Sequence, residues 1–352
     1  MNATLKRTNS SMAIRYAVMS VGASAVPYSV IFGQLKNYVS YDRQAVLIIM
    51  FNIIAVMGRT IVSVFADRVK NKHTGVRLSV LFTVMGLYYP VAFGINAKVI
   101  LLAIGSCIFH SFASSSLLSR SNGKARDIGL FVAGNALGTA LGIFADFFGY
   151  VTAALMMIFA IPDDRDTDLE IVNEPDQAKV KTKSRLIFIP LLMLSYALLY
   201  LLLASLHFPF NSFFKTECLL FISIAIGRAL GGFVSDLIGK TMTVCCGMGG
   251  GSLILFFCSD NKILSMVGLA LVSLSLAPII SLSTKYLQRH PGFVFALLSA
   301  ASYFGQCLSY FIKLDVLLVL IGFAVIALVF TSELPFLVKE VIVTEDNDEE
   351  DS

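Results

Sequence analysis

The sequence predicts an all-α polytopic membrane protein with twelve transmembrane helices in two pseudo-symmetric six-helix halves. Three observations lead to this prediction: the composition, the recurrence of apolar stretches, and a charged motif that occurs twice. Of the 352 residues, 57% are hydrophobic and only 14% are charged. A soluble globular domain has about a quarter of its residues charged, so this composition excludes an ordinary soluble protein.

Apolar stretches account for nearly the whole chain. A helix needs roughly 20 apolar residues to cross the hydrocarbon core of a bilayer. Twelve stretches of about this length are present, the sixth being the shortest and least clearly separated from its neighbour. They cover residues 13–33, 45–65, 77–95, 99–118, 128–146, 147–161, 186–206, 217–236, 241–258, 263–283, 293–312 and 314–332. This spacing leaves no room for a large domain outside the membrane.

A Gly-Arg-x7-Asp motif occurs near the end of the second stretch and again near the end of the eighth. Arg59 and Asp67 form the first copy and Arg228 and Asp236 the second, offset by 169 positions. A charge within a bilayer costs several kcal/mol unless it is paired or faces a cavity, so both copies indicate function. Paired six-helix repeats are typical of secondary transporters, which bind their substrate between the repeats.

Polar segments divide the chain. Residues 162–185 are acidic and then basic, without apolar periodicity, and predict a cytoplasmic linker between the halves 1–161 and 186–335. Residues 336–352 are mostly acidic and predict a disordered cytoplasmic tail.

The distribution of basic residues predicts the orientation of the chain. Nineteen of the 27 Lys and Arg residues lie in the tails and the even-numbered connections. The positive-inside rule therefore predicts that both termini of this multi-pass cell-membrane protein are cytoplasmic. The net charge of +4 reflects this topology and gives no indication of nucleic-acid binding.

The two aspartates lie at helix ends, where the helix dipole is unfavourable for a carboxylate, so each should find a partner on another helix. The surrounding segments resemble the loop between helices 2 and 3 of the major facilitator superfamily, Gly-x-x-x-Asp-Arg-x-Gly-Arg/Lys. The first copy has Ser63 and Lys70 where the family has Gly. The residues assigned to this cytoplasmic gate are Arg59, Asp67, Arg68, Lys72, Arg228, Gly232, Asp236, Gly239 and Lys240.

The resemblance implies that the gate loops act as latches between the halves. It predicts that Asp67 meets the start of helix 11 near Pro291, and that Asp236 meets the start of helix 5. Asp127 lies at the start of helix 5 as well and competes for that second position.

Residues 105–142 resemble helices 4 and 5 of the fosmidomycin-resistance type of transporter within this superfamily. Phe109-His110, Gly134-Asn135, Gly138 and Gly142 match that pattern. Two departures are evident: Ser111 stands where a Pro usually follows the His, and helix 1 lacks the expected acid. The three glycines form a small-xxx-small stripe, for which close helix packing and a role in gating are both open.

In that superfamily, helices 1, 4, 7 and 10 line the central cavity. His110 is the only histidine deep in the membrane; it could carry protons or contact substrate, or be a structural residue bonded to Ser106 or Ser114. The candidate substrate or coupling residues, which include one from helix 5, are Tyr16, Ser20, Tyr28, Ser106, His110, Asn135, Tyr196, Tyr200 and Ser273.

The resemblance implies a monomeric secondary transporter that exports a small organic compound, such as a drug or metabolite, with a proton or another ion as the candidate coupling partner. An uptake symporter or uniporter is the main alternative. A transport-dead sensor or a membrane enzyme is a remote one, because an enzyme needs clustered catalytic groups and only one histidine lies deep in the membrane. No cofactor and no metal site are expected.

Overall fold

The computed structural model describes residues 2–121, 124–161, 182–205, 214–258, 260–286 and 290–312, with isolated positions between 318 and 326. The segments described are helical apart from short connections. The helices are α1 (Asn2–Ser29), α2 (Tyr41–Asn52), α3 (Gly58–Arg68), α4 (Lys72–Tyr88), α5 (Ile95–Arg120), α6 (Ala125–Phe144), α7 (Phe147–Phe159), α8 (Thr182–Ser205), α9 (Phe214–Ile238), α10 (Lys240–Phe257), α11 (Lys262–Ser273), α12 (Leu276–Tyr286) and α13 (Pro291–Ser309).

Helices match the first eleven predicted spans. Within the described residues, eight stretches are long and apolar enough to cross a membrane, and shorter apolar helices lie in the sixth and seventh spans. The third span corresponds to α4, which has 17 residues. The fifth and sixth spans separate at residues 145–146, at the break expected from the sequence. The linker, the acidic tail and nearly all of the twelfth span lie outside the described residues.

Three spans are interrupted. The first ends in a π-helical turn, Val30–Gln34, and the second has another, Ile53–Met57, immediately before α3. The tenth consists of α11 and α12, separated by a turn after Ser273. Such irregularities in transmembrane helices often mark functional sites.

The packing is nearly symmetric between the N-terminal half (α1–α7) and the C-terminal half (α8–α13). Within the halves, α1 packs on α6 as α8 packs on α13, and α4 packs on α5 as α10 packs on α11. Between them, α6 packs on α9, and α13 packs on α3 and α5. The contacts between halves therefore pair the fifth span with the eighth and the second with the eleventh.

The glycine stripe of α6 explains how α1 and α6 approach so closely. A Cβ atom added at Gly134, Gly138 or Gly142 would collide with the backbone of α1, at the carbonyl groups of Ala17, Val21 and Ala25 respectively. Lipid tails are as apolar as the side chains of the helices, so the hydrophobic effect does not drive membrane helices together. Close van der Waals packing is a main contribution instead, and small residues allow it by letting the backbones approach. Packing thus accounts for the three glycines, and nothing in these contacts adds a gating role.

Two basic side chains bind the backbone at the ends of neighbouring helices. Arg15 donates from Nε to the carbonyl of Phe159 and from Nη2 to that of Ile161, both at 2.6 Å. Lys98 is buried and donates from Nζ to the carbonyls of Leu87 and Tyr89, both at 2.8 Å. Cations at a helix C-terminus satisfy its free carbonyls and its dipole, so these two residues close the ends of α7 and α4.

Candidate gate and central site

The carboxylate of Asp67 joins the end of α3 to the start of α13 in the opposite half. Its Oδ1 accepts a hydrogen bond from the N–H of Gly292 at 3.0 Å and from Ser115 Oγ at 2.6 Å. Its Oδ2 accepts from the N–H of Phe293 at 2.9 Å. Because Pro291 opens α13 and has no N–H, these are the first two backbone donors of that helix. The partner expected for Asp67 is therefore present.

Asp236 makes the equivalent connection from the end of α9 to the start of α6. Its two oxygens accept from the N–H groups of Ala125 at 2.9 Å and Arg126 at 3.0 Å. Asp127 does not displace it: its buried carboxylate accepts from Arg126 Nε at 3.3 Å. We call the Asp67 contact the first latch and the Asp236 contact the second latch, and the side on which both lie the gate face.

Each latch is accompanied by a lysine from the following helix. Lys72, the first residue of α4, donates from Nζ to the carbonyl of Ser115 at 3.3 Å. Lys240, the first residue of α10, donates to Ser281 Oγ at 2.7 Å. Arg68, by contrast, is exposed at the surface.

The chain turns between α9 and α10 at Gly239. Its φ of 94° lies in the left-handed region that only glycine adopts without strain. The glycine of the second motif copy therefore has a conformational role.

The halves touch backbone to backbone beside the second latch. A Cβ atom at Gly129 would lie 2.7 Å from the carbonyl oxygen of Arg228 and 3.0 Å from the Cα of Gly232. A Cβ atom at Gly232 would lie 2.6 Å from the carbonyl oxygen of Ala125. Any side chain at these positions would separate α6 from α9, so Gly232 belongs to the gate through packing.

The two motif arginines do not contact the latches. Each precedes its aspartate by eight residues, which places it about 12 Å along the helix, away from the gate face. Arg228 donates from Nη1 to the carbonyl of Val132 at 3.1 Å and from Nη2 to Tyr200 Oη at 3.0 Å. Arg59 lies close enough to Tyr28 and Cys107 to interact electrostatically with both. The contacts thus group the arginines with the cavity candidates, although the sequence assigned them to the gate.

His110 is buried, with 1% of its surface exposed. Its ring packs edge-on against Phe109 at 5.1 Å and Phe131 at 5.6 Å between centroids. Neither ring nitrogen has a hydrogen-bond partner in the part of the chain that the structure describes. The structural alternative, a bond to Ser106 or Ser114, is absent among these residues, and Ser114 Oγ donates to the Ser111 carbonyl at 3.2 Å.

Two of the remaining candidates bond to neighbouring helices, and two contact each other through tilted rings. Tyr16 Oη donates to Ser116 Oγ at 3.3 Å, and the side-chain oxygen of Asn135 accepts from Ser24. The rings of Tyr196 and Tyr200 lie 5.2 Å apart, beside Arg228.

The last four candidates are three serines and a tyrosine. Ser20 and Ser273 are buried with hydroxyls that have no described partner, and Ser106 is buried. Tyr28 contacts the rings of Phe32 and Phe51.

Sequence reasoning missed the serines of the gate, Ser115 and Ser281. Ser115 belongs to the run "SFASSS" at the end of the fourth span. A polar run in an apolar helix is a signal that could have identified it. Ser281 likewise begins the polar segment "SLST" at the end of the tenth span. Among the described residues no group of three His, Cys, Asp or Glu side chains could hold a metal ion.

This chain resembles known proteins in its three-dimensional structure. No family model matches the sequence, and no curated protein matches it. A crystal structure of the major facilitator superfamily transporter FucP in the outward conformation matches with a TM-score of 0.58 and 14% identity. A crystal structure of a variant of the E. coli fucose:proton symporter FucP matches with a TM-score of 0.58 and 13% identity. Each match covers 91% of this chain and 97% of the other. The chain therefore has the major facilitator fold.

Proposed function

We propose that this protein is a secondary active transporter that moves a small organic compound across the membrane by alternating access. The observation that carries the proposal is the pair of latches. Two carboxylates at symmetry-related positions each bind the N-terminus of a helix in the opposite half, on the same face of the membrane. In a fold whose known members transport small molecules, such contacts close one side of a central cavity and can be released to open it.

The latches have the properties that a reversible gate requires. Hydrogen bonds to a charged group contribute about 1.5–3 kcal/mol each, and each carboxylate accepts two from backbone donors. Breaking them leaves groups that water can solvate at the membrane surface. Closed and open states can therefore lie within a few kcal/mol of each other, as a cycling transporter needs.

We propose that the gate face is cytoplasmic and that both termini lie on that side. The distribution of Lys and Arg supports this orientation. Alkaline phosphatase fused after Ser352 should be inactive in a bacterial host, and green fluorescent protein fused at the same position should fluoresce. The reverse pattern would contradict the orientation.

The direction of transport has two candidates. Export follows from the resemblance of residues 105–142 to fosmidomycin-resistance transporters, and we propose it as the first. Uptake is supported by the likeness of the fold to a symporter and by the absence of an acid in "RYAVMSVGASAVP". Flux measured in right-side-out and inside-out vesicles separates the two.

The proposal is tested by reconstitution of the purified monomer in liposomes. The lumen is loaded with one labelled compound at a time, and its release is followed with and without a pH gradient. Protein-dependent, saturable release would support transport, and a pH effect would support proton coupling. Release at the rate of protein-free liposomes for every compound that the protein binds would overturn the proposal.

A further inference from the structure

The two motif arginines have equivalent positions in the two halves and are both buried. Arg59 and Arg228 are 7% and 9% exposed. Arg59 follows the π-helical turn of the second span directly, and Arg228 lies in the eighth. Guanidinium groups remain charged in proteins, so the interior of this fold contains two fixed positive charges.

Neither charge is neutralised by the described part of the protein. No salt bridge joins Arg59 or Arg228 to a carboxylate there. The Nε atom of each arginine is buried and has no hydrogen-bond partner among those residues. Arg228 uses its other donors on a carbonyl and a hydroxyl, which are both neutral. A buried charge without a counter-charge is strongly unfavourable, so each arginine has unsatisfied capacity for an anion.

Arg59 and Arg228 each lie near the same group of rings, at the boundary between the halves. Arg59 lies within electrostatic range of His110. The ring of His110 packs against Phe131, and the next residue, Val132, accepts the hydrogen bond from Arg228. Phe131 in turn contacts Phe295 of α13, at 5.7 Å between centroids. One cation from each half thus flanks the aromatic contact where the halves meet.

The neutral groups beside the arginines suit the recognition of an anion that has further polar groups. Both nitrogens of His110 lack a partner within the described chain, as does the hydroxyl of Ser273 at the break in the tenth span. None of these groups is an acid that would repel an anion. Tyr196 and Tyr200 add aromatic surface on the side of Arg228.

We propose that Arg59 and Arg228 form an anion-binding site between the halves, and that the transported compound is a small organic anion with a carboxylate or phosphate group. A guanidinium donates two parallel hydrogen bonds to either group, which gives both affinity and orientation. The claim that the anion is transported rests on the proposed function. The claim that the two arginines bind an anion does not depend on it.

The binding test uses the purified full-length chain in detergent and measures the shift of its unfolding temperature. The probes are matched pairs at constant ionic strength: lactate against lactamide, and glycerol 2-phosphate against glycerol. A ligand that binds the folded state raises the unfolding temperature in a saturable way. We expect one or both acids to do so and their neutral counterparts not to. Equal shifts for acid and neutral compound, or no shift from either acid, would overturn the site.

The variants Arg59→Gln and Arg228→Gln test the two residues, with Arg77→Gln as the control because Arg77 is exposed on α4. Each test variant should raise the dissociation constant for the binding anion by roughly 30-fold or more, because one partner of a buried charge pair is removed. Arg77→Gln should leave it unchanged. Where a Gln variant does not fold, the Lys variant keeps the charge but loses the paired hydrogen bonds, and it should still weaken binding. Undiminished binding in both variants would overturn the assignment.

Transport distinguishes this inference from the proposed function. Proteoliposomes that bind a probe anion without moving it would refute the transport proposal and leave the site intact. Proteoliposomes that move only neutral or cationic compounds would refute the assignment of the transported compound as an anion and leave the transport proposal intact.

Discussion

The carboxylate of Asp67 accepts a hydrogen bond from the backbone N–H of Phe293, 226 residues away in the sequence, at 2.9 Å. Asp236 accepts from Arg126 in the same manner, across the opposite pair of helices. An Asp is unfavourable at the C-terminal end of its own helix and favourable at the N-terminal end of another. The unfavourable contact of each Asp with its own helix dipole is therefore compensated by a favourable contact with another helix only while the halves are closed on the gate face.

Asp67→Asn should reduce transport far more than it reduces folding. The Asn side chain keeps one acceptor oxygen but loses the charge that strengthens its bonds to the start of α13, so the closed state is weakened. The measurement is flux in proteoliposomes beside the amount of folded protein. Asp260→Asn, at an exposed position before α11, is the matched control and should behave as wild type. Normal flux in well-expressed Asp67→Asn would show that the first latch has no part in the cycle.

Gly138→Ala should destabilise the protein although alanine is the better helix former. The added Cβ would collide with the carbonyl of Val21 in α1, and overpacking of this kind costs about 1–3 kcal/mol. The control is Gly249→Ala, because nothing lies within 4 Å of a Cβ at that position of α10. Thermal unfolding in detergent should show a lower unfolding temperature for Gly138→Ala than for the wild type. The unfolding temperature of Gly249→Ala should not be lowered. Equal stability of the two variants would contradict the packing explanation of the stripe.

Lys98→Met should reduce stability because it removes both hydrogen bonds that close the end of α4. The carbonyls of Leu87 and Tyr89 would then lose a charged donor, at a cost of about 1–3 kcal/mol for each that stays buried. Lys36→Met changes an exposed lysine in a connection and provides the comparison. Retention of folded protein after brief heating reports the difference. The hypothesis fails where both variants survive heating equally.

If His110 carries protons, His110→Gln should flatten the pH dependence of flux between about pH 5 and 8, the interval in which an unperturbed histidine changes its charge. Glutamine retains hydrogen-bonding groups for the substrate but cannot titrate. His73→Gln, near the start of α4, controls for the loss of a histidine remote from the centre. The measurement is flux against pH in vesicles for the wild type and both variants. Superimposable profiles would mean that His110 is structural or a neutral contact.

Much of the gate could be predicted from the sequence because membrane insertion makes charges conspicuous. An Arg or Asp within an apolar stretch is energetically costly in most positions, so the two motif copies can be recognised without a structure. The helical spans can be predicted because a backbone in lipid must satisfy its own hydrogen bonds. The expected contacts of Asp67 and Asp236 followed from family resemblance and from the helix dipole together.

The arginines show what the motif alone could not specify. The assignment of Arg59 and Arg228 to the gate is a prediction that rests on the motif. The eight residues of helix between each arginine and its aspartate already place the arginine side chain about 12 Å deeper in the membrane. Which groups surround that side chain then depends on helices that are remote in sequence: α6 and α8 for Arg228, α1 and α5 for Arg59.

The sequence by itself determined the class of protein, the first eleven spans and the identity of the residues that bear charge, because each depends on local transfer from water to lipid. Only the tertiary structure decided the atoms that meet: the backbone donors that each latch carboxylate binds, the backbone that each glycine admits, and the absence of a described counter-charge beside the two arginines. The physical reason is that pairing depends on the distance between atoms of different helices, and no pattern along one chain segment encodes that distance.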